Sequence, residues 1–355
     1  MKQRLQPQVG RSMANPLLAP ADVKPHRPDF EVIGVFNAGV ARVGEEIVLM
    51  LRVAERPIGR DGGVYLCPVY DAAAGRLEVR EVPMGLPGYD YSDSREIRTP
   101  EGLLLTSISH LRAARSKDGI RFTVDEEPAL FPANEYETYG IEDCRITEID
   151  GVYYLNYSAC SPLGITTYLA TTNNFVTYER LGVMFHPDNK DVTIFPEKIG
   201  GAYYALHRPS ASRFARPEMW LAKSPDLLCW GDHRHVMGCR EGRWDEERLG
   251  ASAVPLRIPQ GWLEIYHGAD RDNRYCAGAV LFDADEPWRI VARSEWPLLE
   301  PQEHYEKEGF FGNVVFPCGA LCEDGIVKIY YGAADTFIAY AEIRLEEILD
   351  HLGLL

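Results

Sequence analysis

Three residues in one short stretch carry chemistry: Glu142, Asp143 and Arg145, within Tyr139-Gly140-Ile141-Glu142-Asp143-Cys144-Arg145-Ile146. A carboxylic acid can donate a proton while a neighbouring guanidinium orients an anionic or hydroxyl-rich ligand. The stretch runs into Asp150-Gly151 and the aromatic-rich Val152-Tyr153-Tyr154-Leu155-Asn156-Tyr157, which places the acids at the head of a strand with a tight return. Taken alone, the same residues also read as a structural salt bridge at a strand start.

The surroundings of the motif recur. A small or polar residue, an apolar strand, a glycine-containing turn and an aromatic strand follow one another at Phe36-Asn37-Ala38-Gly39 to Glu46–Arg52, and again from Asp143 to Tyr157. The pattern returns from Thr193-Ile194-Phe195-Pro196 to His207, from Gly250-Ala251-Ser252 to His267, and from Gly312-Asn313-Val314 to Tyr331. Between copies lie turns with an acid or Asn before an apolar strand: Ser116-Lys117-Asp118-Gly119, Thr172-Asn173-Asn174-Phe175 and Ser224-Pro225-Asp226-Leu227. Repetition of this kind indicates four-stranded β units, with the second signature marking their outer hairpins. A weaker copy, Ser92–Ile97 to Gly102–Leu105, reads as an insertion in the first unit or as a further unit.

The 355 residues fit one closed all-β domain over 15–355, preceded by a loose arm over 1–14 that has no signal-like apolar core. Leu345, Ile348, Leu349 and Leu352 fall at helical spacing and predict a short C-terminal helix. A net charge of −16 opposes attraction to nucleic acid or acidic lipid, so neither a nucleic acid nor a membrane is expected as a partner. Eight cysteines without a CxxC pair suit a reducing, cytoplasmic location. The histidines lack ligand-type spacing, and His233-Arg234-His235 reads as a surface turn, so no metal is expected. Homo-oligomer formation is left open.

If the first strand of each unit lines a common channel, residues at its head converge from distant parts of the chain. Asn37, Asp143, Arg145, Lys190, Asp191, His207, Arg208, Arg248, His267 and Asn313 are then candidates for one site.

The segments Phe36-Asn37-Ala38-Gly39, Glu142-Asp143-Cys144-Arg145-Ile146, Phe195-Pro196-Glu197-Lys198-Ile199 with His207-Arg208-Pro209, Trp262–Gly268, and Asn313–Pro317 with Tyr330-Tyr331-Gly332-Ala333-Ala334-Asp335 resemble glycoside hydrolase family 130. That family holds β-mannoside phosphorylases and related β-mannosidases, and the resemblance runs colinearly from Asn15 to Leu352. It implies an all-β, five-bladed β-propeller with a central mannoside cleft, and Asp143 as general acid, passing its proton through the mannose 3-hydroxyl to the bridging oxygen. Arg248-Leu249-Gly250 looks like the place where the family's phosphorylases set a basic residue before a glycine-rich turn. The chain departs from the pattern at Ala251 and Ser252, which stand where relatives carry glycines, and at Cys144, often proline in relatives.

Cleaving a glycosidic bond needs a proton for the leaving oxygen and a nucleophile on the opposite face. Inorganic phosphate arrives already anionic and needs cations, for which Arg145, Lys190, His207, Arg208, Arg248 and His267 are the expected set. Asn37, Arg52, Asp93, Arg95, Asp191 and Asn313 are expected at the sugar. Water would instead need a second carboxylate about 6.5–9.5 Å from the acid, for which Glu246 or Glu247 is the candidate. Tyr89, Tyr91, Tyr136 and Tyr139 either stack on sugar rings or pack at strand edges.

The expected activity is an inverting phosphorolysis of β-1,2-mannobiose or mannooligosaccharides to α-mannose 1-phosphate, with phosphate as co-substrate and no cofactor. The β-1,2 assignment rests on the likeness of Asn15-Pro16-Leu17-Leu18, Phe30–Phe36 and Leu51-Arg52-Val53-Ala54-Glu55 to that branch. A β-1,4-mannoside phosphorylase, a phosphate-independent β-mannosidase and a non-catalytic sugar-binding propeller are the alternatives.

Overall fold

A computed structural model describes residues 7–59, 63–210 and 214–355. Among these described residues the chain is all-β, apart from two single-turn 3-10 segments, the four-residue helix His304–Lys307 and the C-terminal helix Leu345–His351.

Five antiparallel strand sets follow one another. The first holds Phe30–Val43, Glu46–Pro57, Ile108–Ser116 and Thr123–Val124. The second holds Gly140–Ile149, Val152–Ser161, Gly164–Thr172 and Glu179–Phe185, and one parallel pair, Gly140 opposite Ser109, joins it to the first. The third runs Asn189–Ile194, Tyr203–Pro209, Met219–Ser224 and Gly231–Met237. In the fourth, Arg248–Ala251 and Leu256–Ile258 both pair with Gly261–Ala269, which leads to Tyr275–Phe282 and Ile290–Arg293. The fifth, Val315–Glu323, Ile326–Ala333 and Phe337–Arg344, takes its last strand, Gly10–Arg11, from the other end of the chain.

That last pairing corrects the expectation of a loose arm over 1–14. Residues 1–6 lie outside the described residues, but Gly10–Arg11 pairs with Phe337–Arg344, and Arg11 donates from Nε and Nη2 to the buried Glu306. An unpaired strand edge and a buried carboxylate are both costly, and this short segment relieves both. His233–His235 is likewise not a turn but part of the strand Gly231–Met237. The weak repeat at 92–105 is an insertion: the hairpin Glu96–Thr99 with Gly102–Leu105, like its neighbour Val64–Asp71 with Arg76–Pro83, lies between the second and third strands of the first set.

Apolar clusters join the sets in succession. Met50 and Ala113 of the first pack with Ile146 and Leu155 of the second, and Leu169 of the second with Ile194 and Ala222 of the third. Leu206 and Leu221 of the third meet Trp262 and Val280 of the fourth, and Ile265 and Leu281 of the fourth meet Val315 and Ile329 of the fifth. Val35, Leu49 and Leu51 then meet Tyr330 and Ile338, so the fifth set also packs on the first. Ile348, Leu349 and Leu352 are buried in the cluster between the fourth and fifth sets, as their helical spacing predicts.

Both repeated signatures have physical causes. Asp118, Asn174 and Asp226 each accept two backbone N–H groups from the residues two and three further on, and the hydroxyls of Ser116, Thr172 and Ser224 accept from Gly119, Phe175 and Leu227. These side-chain caps hold the same turn three times. At the heads of the first three inner strands the register slips, between Phe36 and Gly39, Glu142 and Arg145, and Lys190 and Thr193. Asn37, Asp143 and Asp191 occupy those bulges with φ of 49°, 51° and 54°. Asn and Asp tolerate left-handed backbone better than bulkier residues, and a bulge re-aims a side chain out of the regular alternation.

Candidate active site

The bulged strand heads open on a cleft of about 490 Å³. Of the residues expected there, Asn37, Arg52, Arg95, Asp143, Lys190, Asp191, Arg208, Arg248 and His267 line it. Among the tyrosines, Tyr139 does.

Asp143 is buried, and its Oδ1 accepts from Asn37 Nδ2 and Arg52 Nη1, each at 3.0 Å. Arg52 also donates to Glu142 at 2.8 Å and to Ser109 Oγ at 3.1 Å, with its guanidinium over the Phe36 ring. Gly332 makes room for this group, because a Cβ there would stand 2.0 Å from Asn37 Oδ1. Burial acts to raise the Asp143 pKa, but the charges of Arg52, Lys190 and Arg145 outweigh it and hold the group below the usual carboxylate value.

Asp191, also buried and in the lining, receives Arg208 Nε at 2.6 Å, and Arg145 Nη2 and His267 Nε2 lie at 3.4 and 3.5 Å. Arg248 donates to Tyr275 OH at 3.0 Å and to Asn273 at 3.4 Å. Lys190 has no direct hydrogen-bond partner among the described residues. Burial lowers its pKa, but the fields of Glu142, Asp191 and Asp143 more than offset this and keep it charged. His267 is the reverse case: burial, aided by Arg208, Arg145 and Lys190, lowers it to about 3 despite Asp191, so it is a neutral imidazole.

Four expectations are displaced. Arg145 does not face the cleft but lies beneath it, donating to the carbonyls of Asp143, Ala251 and Ser252. The bulge at Asp143 breaks the period-two alternation that would have put both on one face. His207 also points away, held between Asn189 and His233 and stacked on Phe185, because adjacent strand residues face opposite sides and Arg208 takes the cleft side. Asn313 is exposed and outside the lining, although its φ of 60° repeats the left-handed conformation. Asp93 reaches the site only through Arg95, which it grips at 2.7 Å and which lies over Phe311.

Glu246 and Glu247 are outside the lining as well. Glu246 accepts from the Gly242 N–H and pairs with Arg271, which also approaches Glu247. The candidate bases for hydrolysis are therefore tied up in a neighbouring turn. Tyr89 and Tyr91 stack on the inserted hairpins, and Tyr136 packs on Tyr168.

The structure adds residues not assigned from sequence. Tyr275, Phe311 and Asp335 line the cleft, beside Glu142 of the opening motif. Burial raises Asp335 to about 6, with Asp143 and Glu142 adding to the effect against Arg52 and Arg95. The available signal was its place at the end of the family-like segment Tyr330-Tyr331-Gly332-Ala333-Ala334-Asp335; its left-handed φ of 47° belongs to a turn rather than to a strand head.

Away from the cleft, His26, Glu55 and His110 form a group of potential metal ligands that residue spacing did not reveal. Glu55 accepts from His110 Nε2 at 2.9 Å, from the His26 N–H at 3.0 Å and from His26 Nδ1. These bonds use the atoms a cation would need.

With this geometry in view, comparison with known proteins places the chain. The family 130 glycoside hydrolase model, described as β-1,4-mannooligosaccharide phosphorylase, matches residues 105–354. The chain belongs to glycoside hydrolase family 130. Within the family it is 49% identical to a β-1,2-mannobiose phosphorylase of Listeria innocua, over 97% of this chain and 98% of that protein. It is 41% identical to a 1,2-β-oligomannan phosphorylase of Thermoanaerobacter, over 68% of this chain and 80% of the relative. The structure of the Listeria innocua β-1,2-mannobiose phosphorylase in complex with β-1,2-mannobiose superposes with a TM-score of 0.95, covering 98% of this family member and 100% of that chain.

Proposed function

We propose that this family 130 protein is an inverting β-mannoside phosphorylase that cleaves β-1,2-mannobiose or mannooligosaccharides with inorganic phosphate, releasing α-mannose 1-phosphate. The observation that carries the reading is the convergence in one cleft of a buried acid, Asp143, and the cations Lys190, Arg208 and Arg248. Relatives named for β-1,2-mannoside phosphorolysis support the substrate class.

In this reading phosphate oxygen attacks the anomeric carbon as the glycosidic bond breaks, and the leaving oxygen takes a proton that originates on Asp143. Arg208 and Arg248 offer guanidinium forks and Lys190 a point charge for the anion. Phosphate binding would also offset the cationic field that keeps Asp143 ionised, so the anion readies the acid to hold its proton. The aromatic rings of Phe311 and Tyr275 offer faces for the sugar.

The five strand sets, each packed on the next and the fifth on the first, support a five-bladed β-propeller forming one catalytic domain, which takes in Gly10–Arg11 as well as 15–355. No described helix is long and apolar enough to cross a membrane, and the eight cysteines are free, which supports a cytoplasmic enzyme.

Incubation with β-1,2-mannobiose, with and without phosphate, tests the reading. Mannose 1-phosphate formed only with phosphate is expected. Free mannose formed without phosphate would make the protein a hydrolase.

A further inference from the structure

Ser252 has all three of its polar groups committed, and each commitment reaches a different titratable side chain. Its N–H donates to Glu264 Oε1 at 2.8 Å, its carbonyl accepts from Arg145 Nε at 3.0 Å, and its hydroxyl lies 2.9 Å from His267 Nδ1. Ser252 and Glu264 are 0% exposed and His267 is 1% exposed, so these bonds are made away from bulk solvent. Space is also reserved: a Cβ on Gly250 would stand 2.7 Å from His267 Cε1 and 2.9 Å from Asp191 Oδ2. The imidazole is therefore clamped edge-on between Ser252 and Asp191.

A buried hydroxyl must donate its proton to some acceptor. Among the described residues the only acceptor at Ser252 Oγ is His267 Nδ1. At the other side of the ring, Nε2 faces the Asp191 carboxylate, which only accepts. Both neighbours thus favour the same placement of one proton. We infer that Ser252 fixes His267 as its Nε2–H tautomer, making an uncharged imidazole a directed N–H donor toward Asp191 and toward an oxyanion in the cleft. Ser252 is a positioning residue in this scheme, since it acts on the cleft through His267 and Arg145. The depressed pKa of His267 agrees with an imidazole that works without a second proton.

The consequence is specific. A cleft already holding Arg52, Lys190, Arg208 and Arg248 gains a further donor without a further positive charge, so Asp143 is not driven to still lower proton affinity. A backbone-only residue at 252, as a glycine would be, leaves Nδ1 without its donor and the tautomer to be set by Asp191 alone.

This inference rests on phosphate being the anion only for its kinetic arm. Its direct test is nitrogen-detected NMR of the full chain labelled in histidine, with His267 assigned by loss of its signals in His267→Gln. The expected pattern at neutral pH is an unprotonated Nδ1 and a protonated Nε2. A protonated Nδ1, or a doubly protonated ring, overturns the inference whatever the reaction is. The kinetic arm is Ser252→Ala. Loss of one ordering hydrogen bond predicts a KM for phosphate raised about 5–10-fold, with kcat at saturating phosphate and the KM for mannobiose within about two-fold. An unchanged KM for phosphate, or equal losses for both substrates, also overturns it. Free mannose from wild type without phosphate would instead remove the phosphorylase reading and leave the NMR result standing.

Discussion

Arg52 Nη1 stands 3.0 Å from Asp143 Oδ1, the same oxygen that accepts from Asn37. One oxygen of the proposed acid is thus saturated by protein donors, and the other is left for the sugar. The ion pair also defines a cost, because an acid held ionised by a guanidinium does not readily carry a proton. Substituting Arg52 by Gln removes the largest opposing charge, so the Asp143 pKa rises. The alkaline limb of the kcat profile is then expected to move to higher pH, while kcat/KM falls with the loss of orientation. An unmoved limb would assign that limb to another group.

Replacing Asp143 with Asn keeps the shape of the left-handed bulge, since Asn tolerates that backbone, but removes the proton. Turnover is expected to fall about 10²–10⁴-fold, the usual worth of a general acid, with mannobiose binding retained in calorimetry. Turnover close to wild type would exclude Asp143 from proton transfer.

Among the described residues the Lys190 ammonium lines the cleft without a direct hydrogen-bond partner, whereas Arg208 is already gripped by Asp191. Lys190→Met is expected to raise the KM for phosphate about 10-fold or more with little change in fold, as removal of a charge-assisted contact should. Glu246→Gln and Glu247→Gln, by contrast, are expected to stay within about two-fold of wild-type turnover, because both side chains lie outside the cleft lining and pair with the exposed Arg271 instead. A collapse of activity in either glutamine variant would revive the hydrolytic reading.

The legible and illegible parts of the site divide at the bulges. Strand heads could be read from sequence because Asn37, Asp143 and Asp191 are short polar residues in front of apolar strands, the composition a left-handed turn-in requires. What the bulge then does to the next side chain was not legible: two residues after Asp143, Arg145 faces the interior rather than the cleft. His207 against Arg208 is a different miss, since alternation alone allows only one of two neighbours to face the cleft. The docking of Gly10–Arg11 and the burial of Asp335 depend on partners some hundreds of residues away, Glu342 for Gly10 and Arg52 and Asp143 for Asp335, which no local pattern encodes.

Glu55 makes a prediction about stability. Burial raises its pKa, but hydrogen bonds from His110 and His26 overcome this and lower it from 4.5 to about 2. A carboxylate with a depressed folded-state pKa contributes stability that is complete above the unfolded value and is lost as pH falls through the folded one. That contribution should disappear between about pH 4.5 and pH 2. Glu55→Ala, which strands the buried His110 and the partly buried His26, is expected to cost about 2–4 kcal/mol at pH 7, read by chemical denaturation, and to flatten this part of the pH profile.

Asp335 predicts the opposite sign. Its folded-state pKa is raised from 3.8 to about 6, so the folded protein binds the proton more tightly than the unfolded chain does. Stability linked to this group is full below the unfolded value and is lost as pH rises through about 6, leaving an ionised, poorly solvated carboxylate in the cleft at pH 7.5. Asp335→Asn keeps the shape and removes that charge. The variant should therefore melt higher than wild type at pH 7.5 and no higher at pH 4, while turnover drops if the carboxylate holds substrate. Thermal melts at the two pH values check the sign, and a variant less stable at pH 7.5 would show that Arg52 and Arg95 stabilise Asp335 more than burial penalises it. A paired loss of activity and gain in stability in Asp335→Asn is the signature of a carboxylate kept for the substrate rather than for the fold.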